Sequence, residues 1–138
     1  MALYRHLILP GIAQEELTCK RVVKLGSSGD DYVELCDGDA AAYGVVLGDE
    51  GYKIKIDGSM DPHCDIMVDG VGEVEVGSTG VTRGKIVAVT TNGKVIDIPG
   101  AGGADANYVI LGYCRQTGSE GDIVEVLINP GSYDVPKT

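Results

Sequence analysis

The segment Asp61-Pro-His-Cys-Asp65 places four possible metal ligands within five residues, the densest set of soft and hard donors in the chain. The arrangement argues against a dedicated metal site. Adjacent His63 and Cys64 in an extended strand point to opposite faces, and no second cluster supplies the remaining ligands. Cys64 can instead serve as a small buried hydrophobe. The turns Gly29-Asp-Asp31, Asp37-Gly-Asp39 and Asp49-Glu-Gly51 concentrate carboxylates, but none has the regular oxygen-donor spacing of a calcium loop. They read as solvated turns, and no metal site is expected.

Catalytic signals are equally sparse. Gly80-Val-Thr-Arg-Gly84-Lys85-Ile86 has three residues between its glycines instead of the four of a phosphate loop, and Ile where a magnesium-binding hydroxyl belongs. Gly77-Ser-Thr-Gly80 resembles the last motif of the trimeric dUTPases, but it sits mid-chain and the other nucleotide-binding motifs of that family are missing, so a turn explains it better. There are two histidines, no Gly-x-Ser-x-Gly elbow, and no acid pair that spacing alone brings together. Neither an enzyme nor a cofactor is expected.

The elements that carry these residues are strands. A chain of 138 residues makes one ordinary domain. Its 17 Val and 11 Ile against 9 Leu, without Phe or Trp, favour a pleated surface, and 21 scattered glycines punctuate many short strands. The formal net charge of −10 is spread over both halves. A field of that sign repels phosphate backbones, and no Lys/Arg cluster with interleaved aromatics offsets it, so nucleic acid is excluded and a basic protein partner favoured. The opening apolar run is too short and too interrupted for a signal peptide or membrane span, which implies synthesis in the cytosol and no membrane association. Cys19, Cys36, Cys64 and Cys114 are too dispersed for a disulfide framework or a zinc site, and are expected to be free and mostly buried.

The chain also repeats itself. Val22, Val23, Leu25, Gly29, Ala40, Ala42, Val45, Val46, Leu47 and Gly48 recur at one constant offset as Ile86, Val87, Val89, Gly93, Ala104, Ala106, Val109, Ile110, Leu111 and Gly112. Gly51, Ile54 and Ile56 then align at a longer offset with Gly121, Val124 and Val126, which puts the extra length of the second copy into Tyr113–Glu120. Strands are expected at 21–25, 32–36, 43–47 and 52–56, at 66–68 and 73–76 between the copies, and at 85–90, 94–98, 108–111 and 123–128. Asn92-Gly93 is a type I′ hairpin signal. In Glu73-Val-Glu-Val76 the Glu side should be solvated.

The expected fold is therefore all-β, a compact barrel or sandwich built from two tandem pseudo-repeats. Residues 1–17 form an N-terminal arm, and 18–129 a single β domain with pseudo-repeats 19–58 and 83–129 joined by linking strands in 59–82. The breaker-rich residues 130–138 form an extended C-terminal tail. The arm either pairs locally as a first strand or reaches a neighbouring subunit or partner by strand addition.

The Val-rich strands around Ala40–Gly48, followed by Val71-Gly-Glu-Val-Glu-Val76, Gly84-Lys-Ile-Val87, Asn92-Gly-Lys-Val95, Val109-Ile-Leu-Gly112 and Gly121-Asp-Ile-Val-Glu-Val126, resemble bacteriophage capsid decoration, or cement, proteins over roughly residues 17–129. The resemblance implies a homotrimer on the outer surface of a virion, made in the host cytoplasm, that binds the major capsid protein and stabilises the shell. Two other readings are a dUTPase-like nucleotide hydrolase on a trimeric β scaffold and a carbohydrate-binding surface module. The second suffers from the absence of Trp and the few aromatics available to stack on sugars. Capsid contacts are expected from the arm, at Leu3, Tyr4, Arg5, Leu7 and Leu9, and from the tail around Tyr133. The acidic turns and the His63-Cys64 pair have no counterpart in the family pattern.

Overall fold

The computed structural model describes residues 7–56, 62–98 and 106–135, with side chains of the last segment from 108 to 131. Eleven strands are described: β1 (Leu7–Ala13), β2 (Leu17–Thr18), β3 (Val22–Leu25), β4 (Tyr32–Leu35), β5 (Gly44–Val46), β6 (Lys53–Ile54), β7 (His63–Glu75), β8 (Ile86–Val89), β9 (Val95–Asp97), β10 (Ala106–Cys114) and β11 (Ile123–Val135). The all-β expectation holds. Between β8 and β9 the Thr91–Gly93 turn has φ of 63° at Asn92 and 72° at Gly93, the two positive values that a type I′ connection requires.

Strand pairing closes two rings. β1 pairs in parallel with β4 and antiparallel with β7, so the order β1-β4-β3-β5-β7 returns to β1. The second ring runs β7-β11-β10-β8-β9, and Val76, just beyond β7, bridges Val95 of β9 in parallel. The 13-residue β7 belongs to both: His63–Asp69 pairs with β1, and Gly70–Glu75 with β11. The expected strands at 66–68 and 73–76 are thus one continuous strand. Closing each ring on β7 removes the edges that an open sheet would have to protect.

The two rings have the same connectivity, and the hydrogen bonds align them residue by residue. The Val22–Val45 and Val23–Gly44 pairs of the first barrel recur as Ile86–Tyr113 and Val87–Gly112 in the second. Val45–Met67 and Val46–Ile66 recur as Tyr113–Leu127 and Cys114–Val126. The Lys20 amide donates to Val46 O at 2.7 Å as the Gly84 amide donates to Cys114 O at 2.8 Å, and both donors have positive φ.

This register corrects the repeat read from the sequence. The constant offset holds for Val22, Val23 and Leu25, which match Ile86, Val87 and Val89, but Gly44 matches Gly112 at a longer offset and Cys64 matches Val124 at a shorter one. The extra length of the second copy therefore lies between β9 and Gly112, not in Tyr113–Glu120. Gly44 and Gly112 mark the true correspondence because a Cβ at either would collide with a carbonyl oxygen of the next strand, Met67 O or Leu127 O.

The cores follow the same correspondence. Ala13, Leu17, Val23, Val33, Val46, Cys64 and Ile66 fill the first barrel. Apart from Leu17, their register mates Val76, Val87, Val95, Cys114, Val124 and Val126 are all buried in the second, together with Val81. Both barrels are thus packed by small and β-branched side chains, which is what a narrow closed ring accommodates.

One open alternative is decided and two local expectations change. The described part of the arm, Leu7–Ala13, pairs locally as β1. The segment after Ile128 continues as strand, since β11 pairs with β10 from Gly131–Ile110 to Val135–Ala106; Pro130 falls where the register shifts between Ile110 and Gly112, so its missing N–H costs no ladder bond. In residues 52–56 only Lys53–Ile54 forms strand, and Tyr52 and Ile56 are exposed.

Candidate functional site

The first barrel docks on the second through its outer face. In β3, β5 and β7, neighbouring residues point to opposite sides: Val23, Val46 and Ile66 enter the barrel, while Val22, Val45 and Met67 join the core of the second one. The latter three sit opposite one another across the strands, a continuous apolar row. It meets the open end of the second barrel, where Val89, Leu111 and Ile128 are buried. Gly72 makes room there, since a Cβ would lie 2.8 Å from Ile128 Cδ1 and 3.4 Å from Met67 Sδ.

A polar rim fixes this seam. The Arg21 guanidinium donates to Glu75 from Nε at 3.3 Å and Nη2 at 3.2 Å, and from Nη1 to Asn92 O at 3.1 Å. Lys94 reaches the other Glu75 oxygen at 3.0 Å, and the Asn92 amide donates to Asp37 Oδ1 at 2.8 Å. Glu75 is thus a half-buried acceptor between two cations, not the solvated residue that alternation in Glu73–Val76 predicts; Glu73 is exposed and pairs with Lys20 at 2.9 Å.

The same row on the second barrel has no cover among the described residues. Ile86, Tyr113 and Leu127 lie opposite one another as Val22, Val45 and Met67 do, and Val71 extends the row on β7. Tyr113 is 46% exposed and Leu127 45%, against 1% for Val45 and 5% for Met67.

The expected contact residues distribute unevenly. Leu3, Tyr4 and Arg5 lie outside the described residues. Leu7 is exposed and Leu9 half-buried on β1, and Ile8 beside them is also exposed. Tyr133 pairs through its backbone with Tyr108. Leu7 pairs with Asp69 and Ile128 with the next residue, Gly70, so the start of β1 and the departing half of β11 meet at the middle of β7. Sequence reasoning missed Tyr113 and Leu127, and the signal was there: in β10 and β11 they are large apolar residues between inward-facing ones.

The candidate chemistry sites do not assemble. His63 is exposed and Cys64 buried, on opposite faces of β7, and Asp61 lies outside the described residues. Among the described residues no three His, Cys, Asp or Glu side chains converge in a way that could hold a metal ion. All four cysteines are free and buried, and burial raises every thiol; for Cys64 burial, then Asp65 and Cys19, push it up to about 11. Such thiols are poor nucleophiles. Ser78, Thr79 and Gly80 line a polar depression of about 250 Å³ with Thr82, Ser119 and Glu120, a single carboxylate among hydroxyls. A second depression, about 240 Å³ and mostly apolar, is lined by Lys24, Leu25, Ala40, Ala41, Ala42 and Tyr43. Among the described residues no helix is long and apolar enough to cross a membrane.

The fold defines a tandem pair of β-barrels that share β7, with an uncovered apolar row on the second. No protein-family model and no curated protein matches the sequence. Among solved structures, the chain is similar in fold to the N base of the head fiber protein gp8.5 of bacteriophage phi29, with a TM-score of 0.60 at 14% identity, covering 91% of this chain and 95% of that one. The likeness is one of fold, and it agrees with the all-β architecture expected from the sequence.

Proposed function

We propose that this chain is a non-enzymatic structural protein of a phage virion, which binds the outside of the capsid as a homotrimer and stabilises the shell by bridging major capsid protein subunits. The observation that carries this reading is the likeness of fold, over nearly the whole chain, to the base of a phage head fiber. The physics is compatible. A shell pressed from within by packaged DNA fails by separating subunits, and a clamp that touches several of them binds only the closed state, stabilising it by mass action. Joining three clamps raises the effective concentration of each once the first has docked, so weak single contacts suffice. The net charge of −10 suits basic patches on the shell exterior and speeds docking.

Capsid contact is assigned to Leu3, Tyr4, Arg5, Leu7 and Leu9, with Tyr133 second. Exposed Leu7 and Ile8 at the start of β1 support the first choice. The test is cosedimentation of the purified protein with expanded shells of its cognate major capsid protein. Saturable binding is expected, with no hydrolysis of dUTP in the presence of magnesium. A protein that stays in the supernatant at every shell concentration contradicts the reading.

A further inference from the structure

The uncovered row of the second barrel has a partner of defined shape inside the molecule itself. In the first barrel, Val22, Val45 and Met67 are buried in one core cluster with Val89, Leu111 and Ile128 of the second barrel. The register mates of those three end residues in the first barrel are Leu25, Tyr43 and Val68. Leu25 is 60% exposed, and Leu25 and Tyr43 line the apolar depression of about 240 Å³. Among the described residues, the chain therefore carries one used copy of a row-to-end contact and leaves one of each half open: an apolar row on the second barrel and an apolar barrel end on the first.

Charge follows the same logic. Lys85 holds the register position of Arg21, which in the seam reaches the turn that connects β8 and β9 through Asn92 O. The corresponding turn of the first barrel, between β3 and β4, carries the exposed Asp30 and Asp31. A cation at the open row and carboxylates beside the open end are matched in sign.

We infer that a second copy of this chain covers the row Ile86–Tyr113–Leu127, seating it in the Leu25–Tyr43 end of its first barrel and repeating between chains the contact already made within one. The contact is heterologous, so it propagates head to tail until it closes into a ring. This deepens the oligomer proposed above and names its surfaces, but it stands on the internal repeat and not on capsid attachment. Clustered, half-exposed large apolar side chains beside matched charges are also what a protein interface requires of its centre.

The test is size-exclusion chromatography with light scattering on three proteins: wild type, the row variant Tyr113→Lys/Leu127→Lys, and the end variant Leu25→Lys. All three substituted side chains are exposed, so the variants should keep the wild-type far-ultraviolet spectrum and melting temperature, which is checked in parallel. Wild type is expected as an oligomer and each variant alone as a monomer. Mixed one to one, the variants should form a dimer and nothing larger, because each retains the half that the other lost. A wild-type monomer, a row variant that keeps wild-type mass, or a mixture that stays monomeric overturns the inference. If the row variant keeps wild-type mass and still cosediments with shells, the surface assignment fails while the capsid reading stands. If wild type self-associates through the row and ignores shells, the reverse holds.

Discussion

Tyr113 holds in the second barrel the position that Val45 holds in the first: Val45 pairs with Val22 and Met67, Tyr113 with Ile86 and Leu127. One is buried in the seam between the barrels and the other is open to solvent. The same place in a repeated architecture therefore has two duties. Val45→Ala should lower unfolding free energy by about 2 kcal/mol through lost burial and the cavity left behind. Tyr113→Ala should change it by less than about 1 kcal/mol in the monomer. Urea unfolding of the two variants at equal, low protein concentration measures the difference, and equal costs would contradict the assigned register.

The seam also fixes the cost of a methyl group at Gly93. Its φ is 72°, and a Cβ there would lie 2.6 Å from Val22 O and 2.9 Å from Val22 N. Gly93→Ala should cost about 3 kcal/mol, combining left-handed strain with separation of the barrels. Gly121→Ala, with φ of 89° and open space around it, should cost only about 1 kcal/mol. Thermal melts of the pair separate the steric effect from the backbone one.

The rim of the seam makes a further contrast. Removing Glu75 leaves Arg21 and Lys94 half-buried without their shared acceptor, so Glu75→Ala should destabilise by about 2 kcal/mol. Glu73→Ala breaks an ion pair whose carboxylate is largely exposed and should cost less than about 1 kcal/mol. Denaturant midpoints of the two variants test the order.

Alkaline stability should depend on Cys64 in the first barrel. Burial raises the folded Cys64 thiol from 9.0 to about 11. The folded state thus holds its proton where the unfolded chain has lost it, so this contribution is complete below about pH 9 and is lost as pH rises toward 11. Cys64→Val copies Val124, its register mate, and should fold at pH 7 with a shallower fall in stability between pH 9 and 11. An unchanged alkaline slope would show that the thiol is not the source.

Much of the fold was legible because strands of this type announce themselves chemically. Val22-Val-Lys-Leu25 and Ile86-Val-Ala-Val89 are rich in β-branched residues and lead into glycine-containing turns, and the Asn92-Gly93 signal specified its own dihedrals. The duplication was visible too, but its register was not. Gly44-Val-Val-Leu-Gly48 and Val109-Ile-Leu-Gly112 look alike at several offsets, and the deciding fact is which glycine faces a neighbouring carbonyl, a property of pairing across strands and not of local sequence. For the same reason β7 appeared as two strands: Gly70 and Gly72 interrupt its apolar pattern, although there it crosses from one barrel to the other. Pro130 suggested a broken tail because its tolerance depends on a bulge in β11, where Asn129 and Pro130 stand opposite Leu111 of the partner strand. The uncovered row became visible only once the two barrels could be compared position by position.

The proposed role in stabilising a shell can be measured by scanning calorimetry of expanded shells with and without saturating protein. Binding confined to the assembled shell predicts a melting transition that moves to higher temperature as protein is added, and that saturates with occupancy. A transition that stays in place while the protein is demonstrably bound would contradict the account.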